Sequence, residues 1–373
     1  MALEAIRVGD VTVAPGERQF GFLHIAYLAA KTEVRVPFHV LRGREPGPTV
    51  CLESTLHGWE PMGAEVLRRA LRRVDPEHLR GTILSIPLAN PMTLEIGGGI
   101  EGAGQRISPT DHLDLNRVWP GKSENAWLTE RIADVLWREI VSRSEYVIDY
   151  HDGTGSSEEL PVTFAYAFPM NRGGAIQAEG ADGIGGAAET APPGLSMAQM
   201  RDMNDKVRAL AIAWGSTVIS WRERPVNPAM MLGAAMLRGI IPLYVETGGA
   251  HTIDWTIDAS VECTLNLLKH LGMIDGSLVL PKRQIMVSNY LVARSRAGGF
   301  YQVNPAVHLG SEIAKGTVIG TVVDAMTSEV LEEYRSPVNA IVVSRRVRMP
   351  INPGGYIAHL ADTDAIIWER TNS

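Results

Sequence analysis

The sequence has few cysteines and no long apolar run. Only two of its 373 residues are cysteine, Cys51 and Cys263, and each lies in an apolar stretch far from the other. We therefore expect two buried free thiols rather than a disulfide. No stretch approaches the ~18 apolar residues of a membrane-spanning helix, and the first 20 residues lack the basic and apolar regions of a signal peptide. These absences predict a cytoplasmic protein that does not enter a membrane.

The sequence also lacks an excess of positive charge. The chain carries 35 Lys and Arg against 42 Asp and Glu, a formal net charge of −7. That balance provides no electrostatic footprint for nucleic acid, and no basic helix face suits anionic lipid. With 45% hydrophobic and 21% charged residues, the composition is that of an ordinary globular protein. A chain of this length favours two domains over one.

The first 280 or so residues alternate between strand-like and helix-like segments. Short runs rich in β-branched and aromatic residues include PTVCLES, TILSIPLAN, YVIDYHD, VTFAYAF and IPLYVET. Between them, residues 64–74, 126–143, 197–214 and 260–274 carry apolar residues at helical spacing. The alternation predicts an α/β fold for residues 1–282, with a mixed, mainly parallel sheet flanked by helices. Ligands in such folds bind at the carboxyl ends of the strands.

The pattern changes after Pro281 to short strands and turns without an amphipathic helix, so residues 283–373 are predicted to form a smaller all-β domain. The stretch that begins VHLGSEIAKGTVIGTVVDAM resembles a biotinyl- or lipoyl-type hairpin domain. Thr327 and Ser328 occupy the hairpin tip, where that resemblance would place a cofactor-carrying lysine. We therefore interpret the domain as a scaffold that shapes a pocket rim or an oligomer contact.

Residues 170–197 are crowded with Gly and Ala and show no periodicity. Two interpretations remain open, a surface loop and a mobile lid over the site.

Candidate metal ligands follow two of the strand-like runs. His57 and Glu60 stand three apart in HGWE, and His151 ends YVIDYH. A helix-start carboxylate beside a structural histidine would explain the first pair equally well. Two His and one carboxylate, however, leave a fourth tetrahedral position for water, which is the arrangement of hydrolytic zinc sites. Zinc, one ion per chain, is the predicted cofactor.

Other polar residues suit the same site. Arg106, Asn116 and Arg117 lie in an aperiodic segment and could hold a carboxylate or a developing oxyanion, or form a solvated loop. Glu246 ends the run IPLYVE and could serve as a general base, or cap the next turn.

Taken in order, HGWE, then DLNR followed by PG, then DYHDG and ETGG resemble the succinylglutamate desuccinylase and aspartoacylase family, zinc hydrolases related to the zinc carboxypeptidases. The resemblance covers most of residues 48–260. It implies a zinc-carboxypeptidase-like fold and assigns each candidate a role. His57, Glu60 and His151 would bind zinc, Glu246 would be the general base, and Arg106 would stabilise the oxyanion. Asn116 and Arg117 would bind the substrate carboxylate, and Asp114 would orient His57.

One departure concerns Trp59, which stands where the family usually has asparagine and is expected to alter the pocket floor. His251, shortly after Glu246, could line the pocket or be a solvated turn residue.

The predicted function is zinc-dependent hydrolysis of the amide bond of a small N-acyl amino acid or related carboxylate by metal-activated water, with N-acetylated diaminobutyrate as one candidate. The alternatives are a carboxypeptidase acting on short peptides and a metal-binding regulatory protein without catalysis. Family analogy predicts a homo-oligomer.

Overall fold

The structure is a computed structural model that describes residues 3–95, 104–153, 156–170, 195–249 and 253–371. The predicted lid at 170–197 lies outside these ranges except at its two ends. His251 and most of the glycine-rich stretch before Arg106 also lie outside them.

Six α-helices and twenty-one β-strands occur in the described ranges. The helices are α1 (Met62–Arg72), α2 (Pro91–Glu95), α3 (Leu128–Glu139), α4 (Met197–Trp214), α5 (Met231–Met236) and α6 (Ile253–His270). The first eleven strands are β1 (Ile6–Val8), β2 (Val11–Val13), β3 (Glu17–Tyr27), β4 (Glu33–Arg42), β5 (Glu45–Ser54), β6 (Arg80–Ile86), β7 (Tyr146–His151), β8 (Ser157–Glu159), β9 (Val162–Ala167), β10 (Val218–Glu223) and β11 (Ile241–Glu246). The last ten are β12 (Arg283–Val287), β13 (Tyr290–Arg294), β14 (Gly299–Val303), β15 (Glu312–Ile313), β16 (Val318–Val323), β17 (Val330–Arg335), β18 (Ala340–Arg346), β19 (Pro350–Ile351), β20 (Tyr356–Asp362) and β21 (Ile366–Thr371).

A ten-stranded mixed sheet forms the centre of the molecule, in the order β21-β12-β10-β9-β11-β7-β5-β6-β4-β3. The strands β11, β7, β5 and β6 run parallel, as do β12, β10 and β9. The pair β9–β11 and the edge pairs β6–β4, β4–β3 and β12–β21 are antiparallel. The predicted mixed, mainly parallel sheet is therefore confirmed.

Both faces of this sheet are buried. Alternate side chains of β5 point to opposite sides, so that Val50 and Leu52 belong to one core and Cys51 to the other. Helices α1, α4 and α6 cover the first side, whereas α3, α5 and the β1–β2 hairpin cover the second. Such two-sided burial explains why the central strands are continuous apolar runs. Cys51 and Cys263 are both buried free thiols, as expected.

The C-terminal part consists of β-strands in two antiparallel sheets, β13-β20-β18-β15 and β17-β16-β14-β19. Buried apolar side chains such as Ile319, Val342 and Leu360 lie between them. Residues 283–371 contain no α-helix, which confirms the predicted all-β character. Strands β12 and β21 nevertheless join the edge of the large sheet, and β8 pairs with β18. The division at residue 282 and the biotinyl or lipoyl resemblance stay predictions.

None of the helices in the described ranges is long and apolar enough to cross a membrane.

Candidate active site

Three neighbouring parallel strands end at the same edge of the large sheet. Strand β7 lies between β5 and β11, and its last residue, His151, is aligned with Glu246 at the end of β11. His57 and Glu60 follow the end of β5 in the turn that leads into α1. Because parallel strands bring their carboxyl ends together, residues about 90 to 190 positions apart in sequence meet here.

The turn between β5 and α1 is fixed by backbone contacts. The Glu60 amide donates to the His57 carbonyl at 3.0 Å, and the Gly58 amide donates to the Gln105 carbonyl at 2.9 Å. A Cβ atom on Gly58 would lie only 2.1 Å from the carbonyl oxygen of Thr93, so the close approach requires glycine. The turn therefore presents His57 and Glu60 in one arrangement.

His57, Glu60 and His151 form a buried cluster. Nδ1 of His57 lies 2.8 Å from Glu60 Oε2, and Nδ1 of His151 lies 2.6 Å from the same oxygen. The three candidate ligand atoms all lie within 4.8 Å of one another. Both imidazoles therefore present the same ring nitrogen to a single carboxylate oxygen.

A carboxylate lies behind each histidine. Nε2 of His57 is 3.2 Å from Asp114 Oδ1, and Nε2 of His151 is 3.0 Å from Asp149 Oδ1. The second contact is an ion-pair distance without hydrogen-bond alignment. Carboxylates on the outer nitrogens hold metal-binding histidines in orientation and make them more basic.

The electrostatics of the cluster favour positive charge between the three groups. Burial acts to raise the pKa of Glu60, but His57 and His151 outweigh it and hold that pKa far below its usual range. Burial likewise acts to lower the pKa of His151, yet Asp149 and Glu60 raise it well above the ordinary value. Two neutral imidazoles with Nδ1 lone pairs aimed at one carboxylate would repel it. A proton or a cation must therefore lie between them, and two imidazoles and a carboxylate are a donor set that zinc accepts.

Glu246 lies beside this cluster, and its two carboxylate oxygens differ in their hydrogen-bond partners. Its Oε1 accepts a hydrogen bond from the Tyr244 hydroxyl at 2.7 Å, whereas its Oε2 is buried without a partner among the residues that the structure describes. The Tyr244 ring stacks on His151 with ring centroids 4.5 Å apart. Burial, followed by the charge of Glu159, raises the pKa of Glu246 well above its usual value. A raised pKa suits a carboxylate that exchanges protons near neutrality.

Arg106 and Asp114 form an ion pair at the other side of the cluster. Nε and Nη2 of Arg106 lie 3.0 and 2.9 Å from Asp114 Oδ2. Asp114 thus bridges Arg106 and His57, and its pKa is held well below the usual range because His57, Arg106 and Arg117 outweigh the effect of burial.

Asn116 is buried and fixed by its backbone and its side chain. Its amide donates to Asp114 Oδ1 at 2.8 Å, and its Oδ1 accepts from the Met231 amide at 3.0 Å. Nη1 of Arg117 donates to the Asn116 carbonyl at 2.6 Å. The short 3-10 helix Leu115–Arg117 holds both side chains at the pocket wall.

The eight residues to which the resemblance assigns a role line one pocket with a volume of about 780 Å³. These are His57, Glu60, Arg106, Asp114, Asn116, Arg117, His151 and Glu246. The C-terminal part contributes Tyr290, Val292, Tyr356 and His359 to the same wall. The volume lies within the range typical of small-molecule sites.

The succinylglutamate desuccinylase/aspartoacylase catalytic domain matches residues 46–183, which include the three candidate ligands. The chain resembles this family over those residues. It is 27% identical over 353 residues to the N-alpha-acetyl-L-2,4-diaminobutyric acid deacetylase of Halomonas elongata, covering 92% of this chain and 91% of that protein.

Solved structures of other proteins have the same fold. The product-bound ectoine utilization protein of Ruegeria pomeroyi gives a TM-score of 0.73 at 21% identity, with coverage of 93% of this chain and 95% of the other. A succinylglutamate desuccinylase/aspartoacylase from Rhodobacter sphaeroides gives 0.70 at 21% identity, with coverage of 92% and 96%. At these identities the likeness extends to the fold alone.

Sequence patterns did not reveal three acidic residues beside the site, Asp149, Glu53 and Asp152, or the contact that Trp59 makes there. Asp149 and Glu53 are aligned on β7 and β5 and are both fully buried. Asp152 contacts the start of α1, and the Trp59 indole contacts Glu60. Acidic residues inside the apolar runs CLES and YVIDYH were the available signal for the first two, because buried carboxylates need a partner or a function.

Proposed function

We propose that the chain removes a small acyl group from the nitrogen of an amino acid or a related carboxylate, using zinc held by His57, Glu60 and His151. The match to this catalytic domain and to a deacetylase supports a hydrolase that acts on non-peptide amide bonds. The observation that carries the proposal is the convergence of two imidazole nitrogens and one carboxylate oxygen beside Glu246. The deacetylase of Halomonas elongata supports an N-acetylated amino acid as substrate, and N-acetyl-diaminobutyrate is the first compound to test.

Zinc at this position would polarise the amide carbonyl and make a water molecule acidic enough to lose a proton near neutral pH. Glu246 takes the proton from the attacking water through Oε2, while Tyr244 holds Oε1. Arg106 donates to the carbonyl oxygen as negative charge develops on it. The C–N bond then breaks, and Glu246 passes the proton to the leaving nitrogen, which gives a carboxylic acid and a free amine.

Asn116 and Arg117 would bind the free carboxylate of the substrate. Arg117 carries a guanidinium whose planar shape matches a carboxylate. Both residues lie on the pocket wall beside the Asp114–Arg106 pair, on the same side of the cluster. The C-terminal residues on the wall narrow the pocket, which favours small substrates over peptides.

Metal content and amide hydrolysis, measured over a panel of N-acetyl amino acids, test the proposal. Wild type should hold about one zinc per chain and release acetate from at least one compound, whereas His151→Ala should lose both properties. His78→Ala is the matched control, because His78 is an exposed histidine that does not line the pocket. Glu246→Gln should retain zinc and lose turnover. A wild type with stoichiometric zinc and no turnover on any amide would support a binding protein, and a wild type without metal would overturn the site.

A further inference from the structure

Trp59 lies between the two candidate ligands of the HGWE turn, and its side chain forms part of the pocket wall. Trp59 is 39% exposed, and its polar contact is partly buried. Its Nε1 donates a hydrogen bond to Glu60 Oε1 at 2.9 Å.

The hydrogen bond distinguishes the two oxygens of Glu60. Trp59 holds Oε1, while Oε2 faces the two imidazoles at 2.8 and 2.6 Å. Among the residues that the structure describes, these three side chains supply every hydrogen bond to the carboxylate. A carboxylate that is free to rotate can bind a cation through either oxygen or through both. The indole fixes the plane of the carboxylate and leaves Oε2 for the cation.

Trp59 can act this way because the turn that carries it does not move easily. Donor and acceptor are adjacent in sequence, and the Glu60 amide closes the turn on the His57 carbonyl. Gly58 is pressed against Thr93 so closely that no side chain fits. The backbone that carries donor and acceptor is therefore held in one arrangement, and it loses little conformational freedom when the metal binds.

We propose that Trp59 is a positioning residue that makes Glu60 a single-oxygen metal ligand and thereby raises the metal affinity of the site. The inference rests on the proposed function, because it needs a metal ion at His57, Glu60 and His151. Hydrogen-bond partners of metal ligands commonly contribute 10- to 100-fold in affinity.

Two substitutions at Trp59 distinguish the effect of the indole N–H donor from the effect of the aromatic ring. Trp59→Phe keeps an aromatic ring and removes the donor. Trp59→Gln removes the ring and restores an N–H at the same number of bonds from the backbone. Trp127→Phe is the matched control, since Trp127 is exposed and lies outside the pocket.

The experiment measures zinc affinity by competition with a chelator and records the visible absorption spectrum of the cobalt-substituted protein. We expect Trp59→Phe to weaken zinc binding about 10- to 100-fold, with a weaker cobalt absorption as the carboxylate turns to bind through both oxygens. Trp59→Gln should recover most of the affinity, and Trp127→Phe should match wild type.

Unchanged zinc affinity and an unchanged cobalt spectrum in Trp59→Phe would overturn the inference. Equal losses in Trp59→Phe and Trp59→Gln would also overturn it, because they would assign the effect to the ring and not to the N–H. A wild type that binds no metal would overturn the proposed function as well, so the two failures are distinguishable.

Discussion

Asp152 caps the helix that follows the other candidate ligands: its Oδ2 accepts a hydrogen bond at 3.0 Å from the backbone amide of Met62, the first residue of α1. The helix has no cap of its own, because Pro61 at its start offers no side-chain acceptor. A buried carboxylate at this end also interacts favourably with the helix dipole. Since Asp152 directly follows His151, one hydrogen bond joins the two segments that carry the candidate ligands.

Replacing Asp152 with alanine should therefore lower both stability and metal affinity. Loss of a helix N-cap costs about 0.5–2 kcal/mol. We expect a decrease of that size in the free energy of unfolding of the metal-free protein, measured by denaturant titration, and weaker zinc binding by chelator competition. Asp75→Ala is the matched control, because Asp75 caps an exposed 3-10 helix through the Glu77 amide. It should leave zinc affinity unchanged, and an Asp152→Ala protein as stable and as tightly metal-bound as wild type would contradict the assignment.

Local sequence patterns were sufficient for the α/β architecture and for the position of the candidate site. The apolar spacing of residues 197–214 predicted a helix with the bounds that α4 has. His57, His151 and Glu246 each follow an apolar run, and parallel pairing placed these three chain segments at one edge. The convergence could be predicted because it depends on strand direction and not on side-chain detail.

Contacts between distant segments could not be predicted in this way. Strand β9 runs antiparallel to β11, and β12 joins the large sheet although it follows the change in sequence pattern. No local signal marks either pairing. The sequence does not distinguish Asp149 from other strand residues, because its role depends on contacts with His151 Nε2 and with Glu53 in the neighbouring strand.

Asp149→Asn should lower metal affinity with little change in stability. Burial, followed by the charge of Asp149, raises the pKa of Glu53 well above its usual value. A carboxyl whose pKa is raised by folding opposes folding at neutral pH, since its ionised form is favoured in the unfolded chain. Removing the Asp149 charge relieves that repulsion but also removes the carboxylate that raises the pKa of His151, so the metal-free variant should differ little in stability from wild type. Zinc affinity should nevertheless fall about 10- to 100-fold, because His151 loses its supporting carboxylate.

The two measurements for Asp149→Asn are thermal unfolding of the metal-free protein and zinc competition. Asp114→Asn is the comparison, because Asp114 supports His57 but also pairs with Arg106. That variant should lose metal affinity to a similar degree and should lose stability too. Parallel losses of stability in both variants would show that Asp149 stabilises the fold at neutral pH, contrary to the small net effect expected here.

Gly58→Ala should disrupt the ligand turn. The added methyl carbon would lie 2.1 Å from the oxygen and 2.2 Å from the carbonyl carbon of Thr93, so the turn must move. Overpacking of this kind costs about 1–3 kcal/mol. Because His57 and Glu60 flank the glycine, we expect zinc affinity to fall by at least about tenfold, by analogy with lost ligand support. Gly298→Ala is the control, since the nearest atom to its added carbon would be Pro353 Cδ at 3.1 Å. Equal zinc affinity in both variants would contradict the prediction.

The hydrogen bonds that Glu332 accepts in the C-terminal part predict that the stability of the protein depends on pH. Its Oε2 accepts hydrogen bonds from Ser295 Oγ and from the amides of Arg296 and Ala297 at 2.8–3.0 Å. Burial acts to raise the pKa of Glu332, but these hydrogen bonds outweigh it and lower that pKa. A lowered pKa in the folded state gives stability that is fully present above the unfolded pKa of about 4.3 and is lost as the pH falls through the folded pKa.

Glu332→Gln should therefore lower the free energy of unfolding by about 1–3 kcal/mol at pH 7, and the difference from wild type should shrink below about pH 4. Denaturant titrations at several pH values measure this, with Glu333→Gln, an exposed neighbour paired with Arg335, as the control expected to stay within about 0.5 kcal/mol. A difference between Glu332→Gln and wild type that is constant with pH would mean that shape, and not the charge of the carboxylate, holds the Ser295–Ala297 turn.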